Sequence, residues 1–180
     1  MPSPEREEFR KFVNKKIKQV NKKKKLCRII IFGSYKPQEK EFLEQLKNDL
    51  KNDGYENTWL VEDYPNFKDL NVRTKSIDSL EFSHINLFII TGEKGGFTVE
   101  LEHLVQNAST LSFKTIILYE KKLIDDSEVD SLSQLHIEGL KSAIIRLFSF
   151  DRSNYSDLIQ LIRGQVYALH YHYVINEKKY

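Results

Sequence analysis

The chain has 180 residues, 40% hydrophobic and 30% charged, at a formal net charge of +2, which is one domain of ordinary globular composition, long enough to bury a core without staples. Its single cysteine, Cys27, excludes an intramolecular disulfide and a Cys-based zinc cluster and fits a reducing, cytoplasmic setting. The charged start lacks a signal-peptide run and no apolar stretch approaches the ~20 residues that span a bilayer, so no membrane partner is expected.

The first element is basic. Residues 1–25 hold ten Lys/Arg against three Glu, so the rest of the chain carries an acidic excess. Phe9, Phe12, Val13, Ile17 and Val20 fall on one helical stripe, which predicts an amphipathic helix packed on the body or on a partner, with Lys22, Lys23, Lys24 and Lys25 as its polar exit. A basic arm can attract nucleic acid or an acidic partner. The ordinary reading is a solvated helix face and linker, and no DNA- or RNA-binding motif accompanies it, so binding of nucleic acid through this arm is not expected.

From residue 26 to 180 the pattern is that of one α/β domain. Five short apolar runs, at 27–33, 58–61, 85–91, 115–119 and 143–148, are nearly continuous in β-branched and aromatic residues. Strands covered on both faces read that way. Helical spacing lies between them: Phe42, Leu43, Leu46 and Leu50, stopped by Gly54; a weaker pattern with Leu70, Ile77 and Leu80; then Leu101, Leu104, Val105 and Ala108. Residues 125–143 read as mixed loop and weak helix. Leu158, Ile159, Leu161, Ile162, Val166 and Leu169 form a long closing helix. Strand–helix alternation predicts a five-stranded parallel sheet of order 2-1-3-4-5 in a flavodoxin-like three-layer sandwich, with an extra N-terminal helix. Ligands then bind beyond the carboxyl ends of the strands, where the order reverses between the first and third.

Two turns border that switch point. Gly33, Ser34 and Tyr35 follow the first strand, where glycine permits a tight turn or close ligand approach and free amides suit an anion or a ribose hydroxyl. A plain strand-to-helix turn accounts for the same residues. The second turn is sharper. Lys94, Gly95, Gly96 and Phe97 lead from the third strand into a helix, and Glu100 falls in its first turn, pointing toward the crevice. The dipole favours a carboxylate there, and a positioned carboxylate serves as a nucleophile or stabilises a developing sugar cation. A helix-stabilising glutamate is the alternative.

With these residues in hand, the stretch from Gly33 to Glu100 resembles the nucleoside 2-deoxyribosyltransferase-like family and, more distantly, the NAD-cleaving TIR domains. The transferases carry Asp-x-Gly-Thr-x-x-Glu before the helix; Gly96 and Glu100 match its Gly and Glu, whereas Lys94 and Phe97 stand for its Asp and Thr. Glu102 is closer to TIR domains, and Ser76 stands where an Asp commonly opens the preceding helix. The chain is also similar to small archaeal proteins with a Gly-x-Tyr first loop, for which no reaction is implied. The resemblance implies cleavage or transfer at the N-glycosidic bond of a nucleoside, nucleotide or NAD. Glu100 attacks or shields C1′, Tyr35 orients the carboxylate, and Asp63 binds a base or hydroxyl. It also implies sites completed by a neighbouring subunit, hence a homo-oligomer. Lys94 beside the carboxylate points to a phosphate. A nucleotide-sensing or protein-interaction domain without catalysis is the rival reading.

The remaining reactive residues point elsewhere. His170 and His172 are two apart on a helix and face different ways, and His84 and His103 are isolated, so no metal or other cofactor is expected. Ser34 has no recognisable His–Asp partnership, and Cys27 opens a buried strand and reads as inert. Tyr167, Tyr171 and Tyr173 read as packing or an oligomer contact.

Overall fold

The computed structural model describes residues 4–64, 71–91, 98–125, 139–144 and 146–176. In chain order the elements are α1 (Pro4–Lys23), β1 (Ile29–Phe32), α2 (Pro37–Asn52), β2 (Thr58–Leu60), α3 (Val72–Phe82), β3 (Ile85–Ile90), α4 (Thr98–Gln106), α5 (Ala108–Leu111), β4 (Thr115–Glu120), α6 (Lys122–Asp125), β5 (Leu147–Phe150) and α7 (Tyr155–Ile175). The five strands form one parallel sheet in the order β2-β1-β3-β4-β5, the flavodoxin-like arrangement expected from the alternation.

Local chemistry sets the element ends. Pro37 opens α2, where its missing N–H is harmless. Gly54, at φ 95°, closes that helix in the left-handed region and lets the Tyr55 amide reach the Leu50 carbonyl. Asn71 caps α3 by accepting from the Thr74 amide at 2.9 Å, and Asn154 does the same for α7 with Asp157.

Both faces of the sheet are buried, which is why its strands read as unbroken apolar runs. Ile29 and Ile31 face α2 and α7, meeting Leu43, Leu46, Leu50, Ile162 and Val166. Ile30 and Phe32 face the other way with Leu80, Leu101 and Leu104, and the Phe32 and Phe88 rings stack at 4.5 Å. Tyr173 belongs to the buried set, whereas Tyr171 is partly exposed.

Two expectations change. The fifth strand runs Leu147–Phe150 rather than 143–148. The Ile144 amide bonds back to the Leu140 carbonyl at 2.8 Å, which makes this segment the end of a helical turn at 139–143, and Leu140 and Ile144 fill the second core. The apolar stripe of α1 is buried at Val20 and half-buried at Val13, and the rest of it is uncovered. Val20 is fully buried and its carbonyl meets His170 Nε2 at 2.9 Å, but Phe9 and Phe12 are exposed. Among the described residues no helix is long and apolar enough to cross a membrane.

Candidate functional site at the sheet switch point

The strand order reverses between β1 and β3, and α2 and α4 leave their carboxyl ends on opposite faces. Each helix places a glutamate at its third residue, Glu39 in α2 and Glu100 in α4. Both are buried. Their surroundings differ sharply.

Glu39 is neutralised. Arg152, just beyond β5, donates from its guanidinium to Glu39 Oε2 at 2.5 Å. The same guanidinium lies 2.9 Å from Oε1 of Glu120, the last residue of β4, and Lys122 Nζ lies 2.9 Å from Glu120 Oε2. Neither contact to Glu120 is aligned as a hydrogen bond, so these are ion pairs held by proximity. Burial alone would raise the Glu39 carboxyl, but the Arg152 and Thr91 contacts outweigh it and hold it below the ordinary value. Arg152 also lies over the Phe42 ring at 5.1 Å, which fixes the fork from behind.

Glu100 has no such partner. It is 8% exposed, and its Oε2 is buried without a hydrogen bond among the described residues. A buried acceptor in that condition is held at a free-energy penalty that the surrounding fold carries. A site waiting for a donor looks this way.

The Gly33–Tyr35 turn closes the crevice from the β1 side. A Cβ at Gly33 would stand 2.9 Å from Leu43 Cδ1 and 3.2 Å from the Ile89 carbonyl. A side chain here would have to displace the end of Leu43 and press on the Ile89 carbonyl, so the approach of α2 and β3 favours glycine. Ser34 is buried, with Oγ a distant 3.5 Å acceptor for the Lys36 amide. The Tyr35 ring edge is exposed while its hydroxyl turns inward, accepting from the Val61 amide at 3.0 Å and reaching the Ile31 carbonyl at 3.5 Å. Its phenol is raised above the ordinary value, chiefly by burial; Glu62, Glu100 and Asp63 nearby add to the shift, and the Val61 contact opposes it. Tyr35 is thus close enough to feel the Glu100 charge, although its hydroxyl is engaged by backbone.

Asp63 follows β2 in a short turn, and its Oδ2 pairs with Lys47 Nζ at 2.8 Å. Lys94, Gly95, Gly96 and Phe97 lie outside the described residues. Ser76 is buried within α3. The histidines have structural partners: His103 Nε2 meets Glu81 at 3.0 Å, and His84 Nδ1 accepts from the Arg28 amide at 2.9 Å. Burial pushes the Cys27 thiol up to about 12, as befits an inert core residue.

Sequence reading missed Glu39, Glu120 and Arg152. A positional signal was available, because each sits at a strand's carboxyl end or in the helix turn just after one. Compared with known proteins, the chain matches no family model, no curated protein and no solved structure.

Proposed function

We propose that this protein binds a nucleoside, nucleotide or NAD-like molecule at the switch point and cleaves or transfers its N-glycosidic bond, with Glu100 as the nucleophile or cation-stabilising carboxylate. The carrying observation is the contrast between two equivalent helix-start glutamates. Glu39 is matched by Arg152, while the Glu100 Oε2 is buried and has no hydrogen-bond partner among the described residues. A bound sugar hydroxyl satisfies that acceptor, and departure of the base builds positive charge at C1′ beside it. Tyr35 acts as a positioning residue that ties the β1 turn to the start of the β2 turn through Val61. Gly33 and Ser34 border the switch point, and Lys94, Gly95 and Gly96, which lie outside the described residues, are assigned to ligand binding from the sequence alone. The resemblance of the Gly33 to Glu100 stretch to deoxyribosyltransferases supports the same reading.

A second reading, ligand sensing without turnover, is favoured by a separate observation. Tyr35 and Asp63, both enlisted by the reaction, are engaged by Val61 and Lys47. One experiment separates the two. The chain is incubated with nucleosides, nucleoside monophosphates and NAD, and free base is measured by chromatography. Base release that disappears in Glu100→Gln supports the enzyme. Thermal stabilisation by ligand without release supports sensing, and neither effect removes the site.

A further inference from the structure

We infer that α1 is an interfacial helix that docks the protein on an anionic lipid surface. This goes beyond the switch-point site and involves none of its residues.

The argument starts from what α1 leaves uncovered. It runs Pro4–Lys23, about 30 Å at helical rise. Its apolar stripe reaches the body at Val20, yet Phe9 is 68%, Phe12 58% and Ile17 37% exposed. The helix carries eight Lys/Arg, and its three acids, Glu5, Glu7 and Glu8, all lie before Phe9. From Phe9 onward the helix has no further acid, and its polar positions are cations with Asn14, Gln19 and Asn21.

Few occupants satisfy both faces. A nucleic acid backbone matches the lysines but gives Phe9 and Phe12 nothing to bury against. A second copy pairing stripe to stripe covers the phenylalanines but brings two strongly cationic helices together. An anionic bilayer does both. The Phe rings enter the boundary between headgroups and acyl chains; Arg10, beside Ile17, and Lys16, beside Phe12, meet lipid phosphates and carboxylates, and Lys11, Lys15, Lys18 and Lys22, on the opposite face, add their charge to the attraction. Lys16, beside Phe12 and within 5.7 Å of its ring, is placed to extend its charge to the headgroup level while its stem stays apolar. That no helix among the described residues is long and apolar enough to cross a membrane bears on insertion through a bilayer and leaves adsorption to its surface open.

Co-sedimentation of the full chain with phosphatidylcholine vesicles, with and without phosphatidylglycerol, tests this. Partitioning onto the anionic vesicles is expected to exceed that onto neutral ones by at least tenfold and to fall with added salt. Phe9→Ser/Phe12→Ser is expected to lose at least tenfold with an unchanged melting curve, because both side chains are already in solvent. Lys11→Gln/Lys15→Gln/Lys18→Gln should lose a similar amount. Equal partitioning to both vesicle types, or no partitioning, overturns the inference. So does full binding by the Phe pair variant. Retention on duplex DNA or RNA that the Phe substitutions leave intact reassigns α1 to nucleic acid, and dimerisation abolished by them reassigns it to self-association.

Discussion

At the scale of single residues, Glu100 and Gly33 make opposite demands on the fold. Glu100→Gln replaces a buried carboxylate, whose Oε2 has no hydrogen bond among the described residues, with a neutral group of the same shape. It is expected to raise the melting temperature by about 2–4 °C while removing any ligand effect, the trade-off typical of functional groups held against stability. Differential scanning fluorimetry with and without ligand checks both halves. Gly33→Ala has no such gain, because its methyl meets Leu43 and the Ile89 carbonyl. Overpacking of this kind costs about 1–3 kcal/mol, to be read from the urea midpoint. Cys27, the only thiol, offers a convenient reporter: a thiol reagent should leave it unmodified in buffer and label it stoichiometrically in denaturant.

Elements are joined here by buried charge. Arg152→Met leaves Glu39 and Glu120 without their shared cation, and since Arg152 is itself a third exposed, a loss of about 2–3 kcal/mol is expected. Adding Glu39→Gln and Glu120→Gln to that variant should recover most of the loss in chemical denaturation, because the uncompensated charges go with them. At the amino ends of the strands, Lys114 Nζ donates to the Glu81 and Ser83 carbonyls and closes the end of α3 just before β3 begins. Next to it, burial lowers His84 to about 4, and the positive Arg28 and Lys114 add to that shift. The unfolded chain then binds one more proton than the folded chain between about pH 6.5 and pH 4. The stability His84 contributes is present above that window and is lost as pH falls through it. A series of melting curves from pH 7 to pH 4 should decline accordingly, and His84→Gln should flatten the decline.

Over the whole molecule, α1 is the part least committed to the core. Removing residues 1–16 is expected to shift the melting temperature by no more than about 3 °C, since Val20 supplies the buried anchor. The sheet and its order were legible in the sequence because nearly continuous apolar runs such as 29–32 and 85–90, alternating with helical spacing, read as parallel strands buried on both faces, for which 2-1-3-4-5 is the commonest order. The fifth run misled because Ile144, followed by a second isoleucine, has the same composition as a strand while serving a helical turn against Leu140. The place of Glu100 in the first turn of a helix after the third strand was legible from the glycine pair ahead of it. Arg152 was not, because a fifth strand read as 143–148 does not place it just beyond that strand's carboxyl end, and residue type alone does not mark an arginine that gathers two carboxylates.

That separation has a consequence for how the protein is made. Arg152 lies 113 residues beyond Glu39. A nascent chain emerging from the ribosome has β1, α2, β3 and β4 available long before the cation that lets their two carboxylates be buried. Until Arg152 follows them out, Glu39 has no cation and Glu120 has Lys122 alone. Ribosome-stalled chains ending before Arg152 should therefore stay protease-sensitive, and the gain of resistance should come in a single late step.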